Sequence, residues 1–150
     1  MTMEPTILDR LLAISSLFQA DMQRAFAGTA LTEARVHALW VLHHGGPSTQ
    51  QGLSAALGTT PRSVSALVDG LVSAGYAERS PHPTDRRAVV VSLTEPALRL
   101  MERMQEDHRR LSDQLIESVD AADRPAFERG VNAVFWRLDD LVRNEAVSYR

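Results

Sequence analysis

The sequence predicts a mainly α-helical fold with one small β-hairpin, and three observations carry that reading. Apolar residues recur at spacings of three and four over most of the chain. Glycines stand where those periodic stretches would end. One short run, Ala88–Leu93, breaks the helical period and is rich in valine, which is strand composition.

The first helix is read from Leu8, Leu11, Leu12, Phe18, Met22 and Phe26, which form one apolar stripe that Gly28 stops. A second runs from about Thr32 to His44, with Val36, Leu39 and Leu42 inward, and Gly45-Gly46-Pro47 ends it. Ser48 followed three residues later by Gln51 is a capping-box pattern, which predicts a short third helix over Thr49–Leu57. Gly58 breaks that helix. Thr60-Pro61 then opens a fourth, with a hydroxyl cap followed by proline where a missing N–H leaves nothing unsatisfied. Its buried stripe is Val64, Leu67, Val68 and Leu71, and Gly75 stops it.

Tyr76–Ser80 and Ala88–Leu93 read as two strands around the polar, proline-containing loop Pro81–Arg87. Thr94-Glu95 begins a long helix with Leu98, Met101, Met104, Leu111 and Leu115 on one side. After a break near Asp120–Pro125, a final helix carries Phe127, Val131, Val134, Leu138 and Leu141. The order is four helices, strand, wing loop, strand and two helices. Two short helices joined by a tight glycine turn and followed by a hairpin have the layout of a winged helix-turn-helix. The expected organisation is one domain over 1–150, with a winged lobe at 31–93. Residues 1–30 and 94–150 form a helical dimerisation scaffold around it.

The composition suits a folded soluble protein: 150 residues, 44% hydrophobic and 23% charged. No apolar run approaches the roughly 20 residues that cross a bilayer. The opening MTMEPTILDR has neither a basic start nor an apolar signal core, so a cytoplasmic location without membrane contact is expected. The chain has no cysteine, which excludes disulfides, thiolate metal sites and thiol redox sensing. Net charge is -3, yet residues 58–93 carry +1 while 94–150 carry -3. All 16 basic residues are arginine, so any anion is held by guanidinium groups.

The middle of the chain carries the candidate site. At 100° per residue, Arg62, Ala66, Asp69 and Ser73 lie opposite the buried stripe of the fourth helix, flanked by Ser63, Ser65 and Gly70. Small side chains permit close approach, hydroxyls bond phosphates or base edges, and an arginine can fork onto guanine. A solvated face of an ordinary amphipathic helix is the plain alternative. Asp69 would be repelled by phosphate and is expected to pair with an arginine. The loop ending Asp85-Arg86-Arg87 offers two guanidinium groups suited to a narrow minor groove, and Asp85 is expected to orient Arg87 by a bidentate pair. A surface turn with an incidental ion pair is its alternative.

The run Leu31-Thr32, then Leu57-Gly58, then TTPRSVSALVDGLVSAGYAERSPHPTDRRAVVVSLTEPA closely resembles the MarR family of bacterial regulators. The resemblance covers roughly residues 8 to 143, and the wing's Asp-Arg-Arg is its most specific part. It implies a homodimer whose terminal helices intertwine and whose two winged modules read a pseudo-palindrome in double-stranded DNA. It further implies that Arg62, Ser63 and Ser65 approach the major groove and Arg87 the minor groove. With Thr60, Ala66, Asp85 and Arg86 these make the expected DNA-binding set. Ala66 stands where the family often has arginine, Gly70 where a basic residue is common, and Pro96-Ala97 where lysine-glycine is usual.

The dimer expectation also rests on the residues. Leu8, Leu12, Phe127, Val131, Phe135, Leu138 and Leu141 lie on stripes that the winged lobe covers only in part, and a second copy would bury them. A monomeric helical hairpin folded on the lobe is the alternative. Phe18, Met22, His37, Trp40 and His44 are the expected lining of an effector pocket for a small aromatic or phenolic ligand, with ordinary packing as the alternative. His37 and His44 are two turns apart, roughly 10 Å along the axis, and His43 and His44 point apart, so no metal and no cofactor are expected. There is no phosphate loop, nucleophile elbow or partnered histidine to suggest an enzyme. The expected function is a sequence-specific transcriptional regulator, a homodimeric repressor relieved by a small-molecule effector. DNA binding without an effector and a winged module for protein contacts remain the alternatives.

Overall fold

A threonine side chain opens each of the first four helices. Thr6, Thr32, Thr49 and Thr60 hold extended backbone and accept from the N–H three residues on, starting α1 (Ile7–Phe26), α2 (Glu33–Gly45), α3 (Gln50–Leu57) and α4 (Pro61–Ser73). The cap of α1 is reciprocal, since Asp9 accepts in return from the Thr6 N–H at 2.8 Å. Those bonds, the side-chain hydroxyl first, hold the Asp9 carboxyl below the usual carboxylate range. The chain is described here over residues 4–148 of a computed structural model.

Between α2 and α3, Ser48–Thr49 form a two-residue strand, β1, and the hairpin that follows α4 is β2 (Ala77–Pro81) and β3 (Val89–Leu93). The sheet is therefore three-stranded and antiparallel, in the order β1-β3-β2, rather than the two-stranded hairpin expected. Ser48 pairs with Val91 and Thr49 with Val90. A two-residue strand shows no periodicity, and its serine and threonine also read as a helix start. The true cap of α3 is Thr49, one residue later than the Ser48 box implies, its hydroxyl accepting from the Gly52 N–H at 3.0 Å. Two long helices complete the chain, α5 (Glu95–Glu117) and α6 (Arg124–Ser148).

The chain divides into two compact units, and the division falls inside α5, between Glu102 and Arg103. The core of the first unit is built where α2, α3 and α4 pack on one another and on β2 and β3. Leu39, Leu53, Val64, Val68, Leu71, Val91 and Met101 are fully buried there. Leu67, expected in the same stripe of α4, is half-buried. Ser54 is the buried polar residue, and its hydroxyl donates to the Thr59 carbonyl at 2.5 Å across the turn between α3 and α4. Gly58 closes that turn at φ 62°, a left-handed conformation costly for any residue with a Cβ. No helix among the described residues is long and apolar enough to cross a membrane.

Candidate nucleic-acid interface

The lobe from Leu31 to Leu93 contains five arginines, and their partners divide them into two sets. Arg35 on α2 donates to the Ala30 carbonyl. Arg79 on β2 donates to Asp69 at 2.6 Å and to the Ser65 carbonyl at 3.5 Å on α4, and through Nε to Gln50 at 3.1 Å at the start of α3. One guanidinium thus ties three elements together. Arg62, Arg86 and Arg87 are exposed, and no ion pair or side-chain hydrogen bond engages them among the described residues.

Arg62 stands in the first turn of α4, with Ala66 exposed one turn later. Thr60 caps the helix, accepting from the Ser63 N–H at 3.2 Å, and the two hydroxyls lie 2.9 Å apart. Both are therefore occupied with each other in the free chain, and Ser65 is half-buried. Arg62 and Ala66 are exposed at this end of the helix beside Thr60, Pro61 and Ser63, and Arg62 is the one charged side chain among them.

Asp85, Arg86 and Arg87 sit at the tip of the β2–β3 hairpin. Asp85 does not form the bidentate pair expected with Arg87. Its Oδ1 accepts from the Arg87 backbone N–H at 3.0 Å, the closed turn that a short carboxylate makes two residues ahead of itself. The aspartate shapes the loop and leaves the Arg87 guanidinium unneutralised, which suits an anionic partner better than the predicted pair. The structure thus places the eight candidate residues in two groups, 60–66 on the start of α4 and 85–87 on the wing, both in the first unit.

The five residues expected to line an effector pocket are not gathered around the cavity found nearest to them. A cavity of about 430 Å³ lies between the end of α1 and the start of α2, lined by Gln19, Met22, Gln23, Phe26, Leu31 and Glu33 among others. Of the expected five only Met22 reaches it. Phe18 and His37 are exposed. Trp40 instead packs with the two histidines at the end of α2, its ring centroid 5.3 Å from His44 and 6.0 Å from His43. The His43 and His44 rings, expected to point apart, stand perpendicular at 5.5 Å, because both lean on that indole. No cluster of three or more His, Asp or Glu suited to a metal occurs among the described residues.

The apolar residues assigned to a dimer interface all lie open, with exposures between 40% for Leu141 and 64% for Leu8. Helix α1 buries none of its residues. On α6, Trp136, 65% exposed, packs edge-on against Phe135 at 5.1 Å and extends that patch.

Arg79 is the residue sequence reasoning missed. It faces Val91 across the β2–β3 pair, and Val91 is fully buried. Strand alternation puts Ala77 and Arg79 on one face. An arginine on the strand face shared with buried Ala77 is placed to reach the neighbouring helices, and that was the available signal.

Comparison with known proteins bears on the same region. Residues 31–88 match the model of the MarR family. The chain is 31% identical over 107 residues to the HTH-type transcriptional repressor NicR of Pseudomonas putida, spanning 71% of this chain and 68% of that one. It is 27% identical over 124 residues to the repressor IacR of Pseudomonas putida, spanning 83% and 74%. The crystal structure of RV1404 from Mycobacterium tuberculosis superposes with a TM-score of 0.76 at 28% identity, over 90% of this chain and 96% of that one.

Proposed function

The chain belongs to the MarR family, and from that premise we propose that it is a cytoplasmic transcriptional repressor acting as a homodimer on a pseudo-palindromic operator. It binds DNA and is not an enzyme. The observation that carries this reading is the division of the lobe's arginines. Arg35 and Arg79 are held by internal partners, while Arg62, Arg86 and Arg87 stay exposed and uncompensated on the two elements a winged module presents to a duplex.

On this reading α4 enters the major groove with Arg62 and Ala66 leading, and small side chains there let the helix backbone approach. Engagement of Ser63 or Ser65 with DNA would follow release of the Thr60 cap bond or a shift of the half-buried hydroxyl. Arg87 reaches the adjacent minor groove, where a narrow groove concentrates negative potential. In this proposal residues 31–93 are the winged lobe and residues 1–30 and 94–150 the dimerisation scaffold. The open apolar faces of α1 and α6 support a second copy as their partner, because monomers seldom leave such patches in water. A dimer reading neighbouring major grooves holds its two α4 helices roughly 34 Å apart.

Relief of repression is assigned to a small aromatic or phenolic ligand in the cavity at Met22. Phe26 and Leu31 supply apolar wall there, and Gln19, Gln23 and Thr32 supply polar groups. A ligand that fits only one spacing of the two α4 helices shifts the population toward it. The test is selection of bound duplexes from a genomic pool. Enrichment of an inverted repeat with half-sites one helical turn apart is the expected result, and recovery of unrelated sequences or of none overturns it.

A further inference from the structure

The loop between β2 and β3 must hold two guanidinium groups out in solvent without a helix or strand to fix it. Its order comes from a short circuit of hydrogen bonds. The His82 N–H donates to the Ala88 carbonyl at 3.1 Å and the Ala88 N–H to the Asp85 carbonyl at 3.0 Å. The Arg87 N–H goes to Asp85 Oδ1, as above. The Thr84 and Asp85 N–H groups both donate to one atom, the Nδ1 of His82, at 3.3 and 3.1 Å. The Thr84 hydroxyl lies 3.4 Å from the same nitrogen. Pro81 and Pro83 have no N–H to satisfy. Apart from Arg86, every backbone donor from 81 to 88 is thereby engaged within the loop among the described residues.

An imidazole nitrogen that accepts cannot carry a proton, so this arrangement requires neutral His82 with its hydrogen on Nε2. We propose that His82 is the positioning residue of the wing: its unprotonated Nδ1 folds the loop that presents Arg86 and Arg87, so that DNA binding weakens when the ring takes up a proton. The inference rests on the DNA-binding reading above and adds a residue and a condition to it.

His82 is half-buried, and its surroundings are simple. The cleft it lines is also lined by Asp85, Arg87, Ala88 and Val89 from the hairpin, and by Thr49, Gln50 and Gln51 from β1 and α3. The last three do not titrate. Asp85 and Arg87 have opposite charges, and the aspartate is held by a backbone N–H. A proton on Nδ1 turns the one acceptor into a donor aimed at two other donors. The Thr84–Asp85 segment then has to move, and the arginines that follow it move with it.

The test has two arms, and the first needs no DNA. Nitrogen NMR of the full chain reads the His82 tautomer, and hydrogen exchange reads the amides of Thr84 and Asp85. The expected result is an Nε2–H ring at about pH 8, with both amides less protected, relative to the intrinsic exchange rate at the same pH, at about pH 5.5 and in H82A. A proton on Nδ1 at the higher pH overturns the inference even if the chain binds DNA.

The second arm measures fluorescence anisotropy on a selected duplex. H82A binds about three- to tenfold more weakly than wild type at about pH 8, the effect of losing two modest hydrogen bonds. H82N keeps an oxygen where Nδ1 stood but does not titrate, so it binds within about twofold of wild type. On acidification wild type loses affinity relative to H82N. Equal binding by H82A and wild type overturns the proposal and leaves the DNA reading intact. A gain by wild type over H82N at low pH overturns it in favour of a phosphate contact by His82. Failure of wild type to bind any duplex defeats the DNA reading and the wing's role together.

Discussion

The Arg79 guanidinium and the Asp69 carboxylate meet at 2.6 Å, and the pair joins the first strand of the hairpin, β2, to α4. The arginine is the better buried partner, its side chain 30% exposed against 63% for the aspartate. Exposed pairs of this kind contribute about 0–1 kcal/mol to stability. Arg79 does more than pair, because it also donates to Ser65 and Gln50 and so fixes the angle of α4 against the sheet and α3.

Asp69→Ala and Arg79→Ala should therefore separate stability from binding. Asp69→Ala is expected to lower unfolding free energy by no more than about 1 kcal/mol. Operator affinity should fall several-fold in both variants, more in Arg79→Ala because it frees three contacts. Denaturant melts and anisotropy titrations check this. Unchanged affinity in Arg79→Ala would remove it as an orienting residue.

Gly70 carries a second, quieter coupling. A Cβ there would lie 2.6 Å from the Arg35 Cζ and 2.7 Å from its Nε, so the bare helix face makes room for a guanidinium crossing from α2. Alanine would raise helix propensity by about 1 kcal/mol. It would also push Arg35, a flexible chain end, off the Ala30 carbonyl. The two effects offset, and Gly70→Ala is expected to change stability by less than about 1 kcal/mol. In an Arg35→Ala background the same change should be stabilising. Equal effects in both backgrounds, read by denaturant unfolding, would mean that the two residues are not coupled.

Arg62 and Arg87 should fail in different ways. Arg87→Ala is expected to weaken all duplexes and reduce the salt dependence of log K by about one contact per protomer. Arg62→Ala is expected to relax preference at one or two operator positions, by roughly 1–3 kcal/mol if it reads guanine. Binding to a panel of single-base operator variants distinguishes them. A uniform loss for Arg62→Ala would make it a phosphate contact.

The α6 patch is the place to test the assembly. Leu138 is 60% exposed and borders Val131, Val134 and Leu141 on the same face. Leu138→Arg leaves a solvated residue in a monomer but puts a charge into a dimer contact. Sedimentation should show a dimer for wild type and a shift to monomer for the variant, with operator affinity lost in parallel. A wild-type monomer that still binds an inverted repeat would contradict the proposed assembly.

The helices were legible because their signals are local. The Thr60 cap with Pro61 behind it, and Gly28, Gly58 and Gly75 past the ends, marked starts and stops. Apolar spacing identified the inner faces of α2 and α4, where Val36, Leu39, Val64 and Val68 are buried. What was not legible depended on contacts distant in sequence. β1 is two residues whose only mark is pairing with Val90 and Val91. Arg79 finds its partners 10, 14 and 29 residues away. Asp85 was read as a side-chain partner of Arg87, because adjacency could not tell such a pair from the bond it makes to the Arg87 backbone N–H. Helical spacing alone grouped His37, Trp40 and His44, while the cavity forms where α1 turns into α2.

The central claim is that an acidic chain binds one DNA sequence through α4 and the wing. It is tested most directly by anisotropy titration of a selected inverted repeat and a scrambled duplex at two salt concentrations. The account predicts at least about a thousandfold preference for the selected duplex, weakening as salt rises with a slope set by several phosphate contacts. Equal affinity for both duplexes, or no binding to either at low salt, would contradict it.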